Sequence, residues 1–240
     1  MIFPIRSYVL RSRMTPAQKK AYEKYRDSGR VFTLPASVFP LEFSSRKAAG
    51  KLFIEIGFGM GRAIALMAER NPGAEYLGIE VHTPGVARLL WEIETRALDN
   101  ISIIHADALP AVRDMIQANS VDGFHIFFPD PWPKKRHHKR RLINADFLRL
   151  LAGRLREGGY IYIVTDWEDY AGWIQEALAE VPELHILPGA DIPWRPETAF
   201  EKKGRAAGRH IHEIFRVKSC INAKNTAKTH TPLTGQGSQP

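Results

Sequence analysis

The feature that most constrains the fold is a repeated alternation of short apolar segments with longer amphipathic ones, which begins at residue 51. Residues 52–56 (LFIEI), 75–80 (EYLGIE) and 101–105 (ISIIH) are apolar runs of strand length, and the segments between them have helical spacing. Such an alternation indicates a mostly parallel sheet that is covered by helices on both faces. We therefore predict a doubly wound α/β domain.

The alternation continues to residue 217 and places one main domain at 50–218. Further strands are expected at 122–128, 160–165, 183–187 and 210–217, and helices at 62–70, 84–98, 143–156 and 168–180. Residues 1–49 are interpreted as a basic N-terminal extension, in which Thr15 as N-cap and Pro16 at the first helical position predict a helix over 15–27. The tail 219–240 has little to bury and is predicted to be disordered.

The positive charge of the chain is unevenly distributed. Lys and Arg number 34 against 26 Asp and Glu, a formal net charge of +8. Within the domain, 131–141 (PWPKKRHHKRR) has six basic residues and no acidic one, and 202–209 (KKGRAAGR) has four and none. Because like charges repel one another, two such stretches suggest a polyanionic partner.

Other classes of protein are disfavoured by what the sequence does not contain. A single cysteine, Cys220, excludes an internal disulfide framework and a cysteine-based zinc site. His210 and His212 have the spacing of metal ligands on a strand, but no Cys or carboxylate cluster accompanies them, so we expect no metal. No apolar run approaches the roughly 20 residues of a membrane span, and the N-terminus does not resemble a signal peptide. We expect a soluble, cytoplasmic protein.

A glycine-rich turn and a series of carboxylates mark one edge of the predicted sheet. Gly57, Gly59 and Gly61 follow the first strand, where glycines allow close approach of a ligand to backbone N–H groups. Acidic residues recur where successive strands should end, at the edge where open α/β sheets bind ligands. They are Glu55, Glu80, Asp107, Asp130 and Asp166. Turn formation or helix capping would explain any one of them, but not all five together.

Taken together, six motifs resemble the bacterial tRNA (guanine-N7)-methyltransferase family across about residues 50–218. They are EIGFGMG, GIEVH, HADA, FFPDPWPKKRHHKRR, TDW and RPETAFEKKG. The resemblance implies a class I methyltransferase fold, Rossmann-like, with a seven-stranded sheet whose last strand is antiparallel. It implies an enzyme of tRNA modification that uses S-adenosyl-L-methionine and methylates N7 of the variable-loop guanosine, position 46 of the tRNA.

The resemblance also implies roles for individual residues. Glu55, Glu80, Asp107 and Asp130 match cofactor-binding positions, together with the glycine turn, and Asp130 matches the proposed catalytic residue. The tRNA-binding positions are Lys134, Asp166 and Thr198, Ala199, Phe200 and Glu201, with RNA contact by Arg136, His137, His138, Lys139, Arg140 and Arg141. No obligate protein partner is implied, and the protein is expected to be a monomer or homodimer.

The chemistry of these residue types agrees with the implied roles. The carboxylate of Glu80 suits the ribose hydroxyls, Asp107 suits the adenine amino group, and Glu55 suits the positive methionine end of the cofactor. Guanine N7 carries no proton, so its methylation needs no general base. Asp130 could stabilise the positive charge that develops on the ring, or orient the base, and the sequence does not separate these roles.

Several alternative interpretations remain at this point. The basic run could be a solvated helix start, and Thr198 with Glu201 could be a helix capping box as well as a substrate contact. A nicotinamide-dependent oxidoreductase is disfavoured because the Gly-x-Gly-x-Gly spacing differs from that of pyrophosphate binders. A non-catalytic RNA-binding module that keeps the fold is the third alternative.

Overall fold

The computed structural model describes residues 14–34 and 50–219, which form one mixed sheet with helices on both faces. Its strands are β1 (Val31–Phe32), β2 (Leu52–Ile56), β3 (Glu75–Glu80), β4 (Ile101–His105), β5 (Val121–Phe127), β6 (Leu155–Thr165), β7 (Leu184–His185) and β8 (His212–Lys218). Its helices are α1 (Pro16–Tyr25), α2 (Arg62–Arg70), α3 (Thr83–Thr95), α4 (Ala108–Met115), α5 (Ala145–Arg154), α6 (Glu168–Ala179) and α7 (Ala199–Ala206), with a 3₁₀ helix at Lys135–Arg140.

The order of the strands is that of a doubly wound sheet. From one edge to the other it runs β1, β4, β3, β2, β5, β6, β8, β7. The first six strands in this order are parallel, whereas β8 lies antiparallel between β6 and β7. The predicted fold class and its antiparallel last strand are confirmed. The sheet has eight strands rather than seven, because β1 pairs with β4 at the edge.

The two faces of the sheet are buried by two separate sets of helices. One core contains side chains of α4, α5 and α6, with Ile54 and Phe124 from the strands. The other contains side chains of α1, α2 and α3, with Tyr76 and Ile101. Since both faces are covered, the central strands are largely apolar, as expected for parallel strands, and Glu55 on β2 and His125 on β5 are buried exceptions.

Part of the N-terminal region packs into this domain. The helix predicted over 15–27 is α1, and Thr15 and Gln18 form a reciprocal capping box at its start. Ala21 is buried in the core beside α3, and the ring of Tyr22 contacts that of His105. Residues 14–34 thus contribute a helix and an edge strand, and the rest of the proposed extension lies outside the described residues, as does all of the proposed tail except Ser219.

Two elements near the site do not follow from periodicity. Helix α4 has only eight residues and includes Pro110 in its first turn, so its apolar pattern is short. Asp107 is the N-cap of this helix, and that N-cap was the sequence signal from which the helix could have been predicted. The run KRHHKR forms a 3₁₀ helix rather than the start of the predicted helix, because α5 begins later, at Ala145 with Asn144 as N-cap.

Candidate active site

The glycine turn between β2 and α2 brings the chain close to helix α3. All three glycines have positive φ, +72° at Gly57, +57° at Gly59 and +75° at Gly61, a conformation that other residues adopt only at a cost. The packing is equally restrictive, since a Cβ at Gly85 of α3 would lie 2.1 Å from the carbonyl oxygen of Gly59. The positive φ values and the close approach of α3 together explain why glycine occupies these positions.

Glu80 at the end of β3 is held by the backbone of this turn. Its Oε2 accepts a hydrogen bond from the N–H of Gly59 at 2.9 Å, and its Oε1 accepts from Val81 and His82 at 2.8 and 2.9 Å. A carboxylate has about four acceptor sites, so Oε2 retains capacity for a further donor. Glu80 is therefore a pre-oriented hydrogen-bond acceptor in the cavity wall.

Glu55 is the most unusual charge in the site. It lies on β2, is 2% exposed, and its Oε2 finds no hydrogen-bond partner among the described residues. Burial, and to a smaller extent the negative charge of Glu80, raise the pKa of Glu55 to about 8. A buried carboxylate without a partner is costly, and a cationic ligand group would relieve that cost.

Glu55 and Glu80 line one cavity of about 410 Å³ at the carboxyl edge of the sheet. Asp107 also lines this cavity while accepting the N–H of Leu109 as N-cap of α4. The turn glycines, Asp130, Trp132, Arg140, Thr198, Ala199 and Phe200 belong to the same lining. The structure thus brings together every carboxylate assigned to the cofactor.

The loop after β5 carries Asp130 to the mouth of the cavity in a strained conformation. Phe128 and Trp132 have φ of +53° and +45°, which non-glycine residues rarely adopt. Such strain persists only where the surroundings impose it, and it is frequent at functional sites. Asp130 is solvent-accessible, yet the protein atoms around it exclude enough water to raise the pKa of its carboxyl group.

The basic 3₁₀ helix extends this loop with exposed positive charge. None of Lys134, Lys135, Arg136, Lys139 and Arg140 forms an ion pair within the described part of the chain. The guanidinium of Arg140 lies 4.9 Å from the ring centroid of Trp132. Partial desolvation, followed by repulsion from Arg140 and Arg136, lowers the pKa of His137. The segment is therefore a concentrated positive surface beside the cavity.

Arg141 departs from the interpretation of the basic run as RNA contact. Its side chain is only 1% exposed and pairs with the carboxylate of Asp169 on α6. His138, next to it in space, is also partly buried and lies 3.9 Å from the same carboxylate. This burial and pairing argue against the predicted RNA contact of Arg141, because its guanidinium is enclosed and already has a partner.

Two predicted tRNA contacts at the other wall also have partners within the protein. Glu201 is buried and pairs with Arg195 and Arg205, which argues against direct contact of its side chain with tRNA. Burial raises the pKa of Glu201, but the hydrogen bonds from the two arginines outweigh burial and the net pKa is lowered. Asp166 pairs with Arg209 at 2.8 Å and is not part of the cavity lining.

The first turn of α7 faces the cavity. Thr198 caps the helix by accepting the N–H of Glu201 at 3.1 Å, which confirms half of the capping box, since the Glu201 side chain turns to the arginines instead. Phe200 is exposed, and its ring stacks on that of Phe128 with centroids 6.3 Å apart. This aromatic pair borders the cavity beside Asp130.

Sequence reasoning missed Arg195, Phe128 and the α6 residues around Arg141. Phe128 and Arg195 stand inside two of the quoted motifs and the α6 residues stand outside them, but none was given a role, because these roles depend on partners from other elements. Over 14–34 and 50–219, no cluster of three or more His, Cys, Asp or Glu side chains could hold a metal ion. No helix in these ranges is long and apolar enough to cross a bilayer.

A doubly wound sheet with a glycine turn, a ribose-type acceptor and an unpaired buried carboxylate at its carboxyl edge defines a class I S-adenosylmethionine-dependent methyltransferase. The unpartnered Glu55 is the observation that fits this cofactor, whose methionine end is positively charged. The pyrophosphate of a dinucleotide would instead bring negative charge to this position.

Comparison with known proteins leads to the family. A family described as putative methyltransferase matches residues 49–214. A tRNA (guanine-N(7)-)-methyltransferase of Treponema pallidum is 45% identical over 87% of this chain and 93% of its own length. One from Nitrosospira multiformis is 45% identical over 90% and 95%. The crystal structure of the 16S rRNA methyltransferase KamB shares the fold, with a TM-score of 0.55 and 14% identity over 79% of this chain and 99% of that one. This chain belongs to the tRNA (guanine-N7)-methyltransferase family.

Proposed function

We propose that this enzyme transfers the methyl group of S-adenosylmethionine to N7 of the variable-loop guanosine of tRNA. The observation that carries the proposal is the position of Asp130, at the mouth of the cavity that contains Glu55 and Glu80 and at the start of the loop that displays the unpaired basic residues. A base entering beside Asp130 would have its phosphates next to that positive surface.

The residues on the cofactor side of the cavity would bind S-adenosylmethionine and orient it. When bound, S-adenosylmethionine supplies a methyl group on a positively charged sulfur. Glu80, fixed by three backbone N–H groups, would accept hydrogen bonds from the ribose hydroxyls, and Asp107 would accept one from the adenine amino group. Glu55 would be ionised beside the cationic end of the ligand, which would give the buried Oε2 a partner.

Asp130 acts on the guanine. N7 would attack the methyl group with its free lone pair, so no proton has to be removed. As the N7–methyl bond forms, the bond between the methyl group and sulfur breaks, the sulfur leaves as a neutral thioether, and the positive charge passes to the guanine ring. A carboxylate beside the ring stabilises that charge more in the transition state than in the ground state. The pKa of Asp130 is raised because its surroundings disfavour the negative charge until a positive partner arrives. The same carboxylate can accept the N1–H and amino hydrogen bonds of the base.

The remaining contacts follow from what is exposed. We propose that Lys134, Arg136, Lys139, Arg140 and His137 meet tRNA phosphates, and that Thr198, Ala199 and Phe200 border the bound base. We propose that the protein is a monomer or a homodimer. We also propose that the enzyme acts in the cytoplasm, where its tRNA substrate is made.

The test of the proposed activity is methyl transfer to a tRNA transcript from radiolabelled cofactor. We expect label at the variable-loop guanosine, located by mass spectrometry of nuclease fragments. A matched tRNA with 7-deazaguanosine at that position keeps the shape and pairing of the base but has no N7, and it should accept no label. Equal labelling of the two tRNAs would contradict N7 as the acceptor.

Asp130 provides the mechanistic test. We expect Asp130→Ala to lower kcat on the order of a hundredfold with little change in tRNA Kd, the magnitude typical of removing one electrostatic stabiliser. If charge is what matters, Asp130→Asn should lose as much activity as Asp130→Ala. If orientation of the base is what matters, the asparagine should retain much of the activity. A wild-type single-turnover rate for Asp130→Ala would exclude both roles.

A further inference from the structure

The segment 131–141, which carries the exposed basic residues next to Asp130, is closed at its base by one side chain. The Nε of Arg141 donates a hydrogen bond to the carbonyl oxygen of Pro131 at 3.0 Å. The backbone N–H of Arg141 donates to the carbonyl oxygen of His138 at 2.9 Å. The two ends of the segment are therefore tied together, and the anchored carbonyl belongs to the residue directly after Asp130.

Three side chains of helix α6 surround this guanidinium. The carboxylate of Asp169 pairs with Arg141, and the rings of Tyr170 and Trp173 have centroids 5.0 and 5.2 Å from the guanidinium carbon. The same helix anchors Ile143, since Tyr170 Oη accepts the N–H of Ile143 and Trp173 Nε1 donates to its carbonyl. Arg141 is thus fixed to α6, and the segment is fixed to Arg141.

We propose that Arg141 is a positioning residue that locks the Asp130 loop and the basic 3₁₀ helix onto α6, with Asp169 as its partner. The inference rests on the proposed function, and assigns to Arg141 a role other than contact with RNA. Trp132 next to the anchored carbonyl has φ of +45°, and such a conformation needs external contacts to maintain it. The planar guanidinium suits this positioning role, because its Nε donates to a carbonyl oxygen while a terminal nitrogen donates to a carboxylate.

Asp169 separates the two possible roles of Arg141. Its carboxylate is 60% exposed, and its hydrogen bond to Arg141 is the first cause of a lowered pKa. If Arg141 bound an RNA phosphate, the carboxylate of Asp169 would compete with that phosphate for the guanidinium. Removing the Asp169 charge would then leave tRNA affinity unchanged or increase it. If Arg141 positions the Asp130 loop, removing the same charge makes that loop more mobile and slows methyl transfer.

The experiment uses the full-length enzyme with Asp169→Asn, Asp169→Glu, Arg141→Lys and, as a control, Arg140→Ala. Three quantities are measured: the single-turnover rate of methyl transfer, the slope of tRNA Kd against salt, and hydrogen exchange of the peptide spanning 128–141. We expect Asp169→Asn and Arg141→Lys to lower the rate roughly tenfold to a hundredfold and to increase exchange, without changing the salt slope. Asp169→Glu should recover much of the rate.

Arg140→Ala should behave in the opposite way, with weaker tRNA binding and a salt slope smaller by about one, because it removes an exposed phosphate contact. Wild-type rate and exchange in Asp169→Asn would overturn the inference, as would a larger salt slope in that variant, because it would show that the released guanidinium contacts a phosphate. The exchange measurement needs no substrate. A wild-type enzyme inactive on tRNA would therefore contradict the proposed function while the lock is still tested.

Discussion

Two stretches of this chain are similarly short and basic in sequence, yet in the folded protein they differ in whether their charges are paired. Among the lysines and arginines of 134–141, only Arg141 has a carboxylate partner within the described residues, and the other five are exposed. In 202–209, Lys202 pairs with Glu197, Arg205 with Glu197 and Glu201, and Arg209 with Asp166. Charge that the fold has already compensated is not available to a polyanion.

This difference in ion pairing assigns different roles to the two basic stretches. The first is a surface for phosphates beside the cavity, whereas the second is mainly a structural element that fixes α7. The same distinction applies to the acidic residues, because Glu201 is paired inside the protein and Glu55 is buried with one oxygen lacking a partner among the described residues. Ionisable side chains without a partner inside the protein are the ones we expect to bind a ligand.

The largest effect should come from removing a paired charge. We expect Glu201→Ala to lower the free energy of unfolding by about 3 kcal/mol, because it leaves Arg195 buried beside a single remaining carboxylate. Urea denaturation measures this. Glu197→Ala, which removes an exposed partner of α7, is the control and should change stability by less than about 1 kcal/mol. Equal losses in the two variants would contradict the distinction.

The second prediction concerns the exposed stretch. Replacing Lys135, Arg136, Lys139 and Arg140 together by Ala should raise the tRNA Kd roughly a hundredfold near physiological salt and reduce the salt slope by about three to four. Cofactor affinity should change little, because three of these residues lie outside the cavity lining and the fourth, Arg140, lines the cavity beside Trp132 rather than on the glycine turn or the strands that carry Glu55 and Glu80. A wild-type salt slope would show that the stretch is only a solvated surface.

The third prediction extends the comparison to the unpaired acid. The pKa of Glu55 is about 8 in the free protein, so at neutral pH the residue is mostly protonated. A cationic ligand favours the ionised form, so binding releases a proton, and S-adenosylmethionine affinity should rise with pH, on the order of tenfold from pH 6 to 7.5. Calorimetry in buffers of different ionisation enthalpy measures the proton release. Glu55→Gln should show neither the release nor that part of the pH dependence, and proton release equal to wild type in this variant would reject Glu55 as the source.

The smallest effect should come from the paired basic stretch. We expect Lys202→Ala combined with Arg205→Ala to change the tRNA Kd by less than about threefold, since both charges are already compensated by Glu197 and Glu201. The measurement is the same filter-binding titration as for the exposed stretch. An effect as large as that of the exposed stretch would remove the basis of the comparison.

The sequence by itself determined the framework of this protein. The strands 52–56, 75–80 and 101–105 and the helix 62–70 were predicted with their observed bounds, because hydrophobic periodicity and glycine or proline punctuation are local properties. The carboxylates at the strand ends were recognisable for the same reason, since each belongs to a short motif whose place in the fold follows from the strand before it.

Only the tertiary structure decided which charges are free. Arg141 meets Asp169 28 residues later, and Arg209 meets Asp166 43 residues earlier. Within the run KRHHKRR nothing distinguishes the buried arginine from its exposed neighbours. Ion pairing depends on distance in space and on burial, and neither is encoded in a local pattern. The loop that presents Asp130 therefore depends on a helix that the motif itself does not contain.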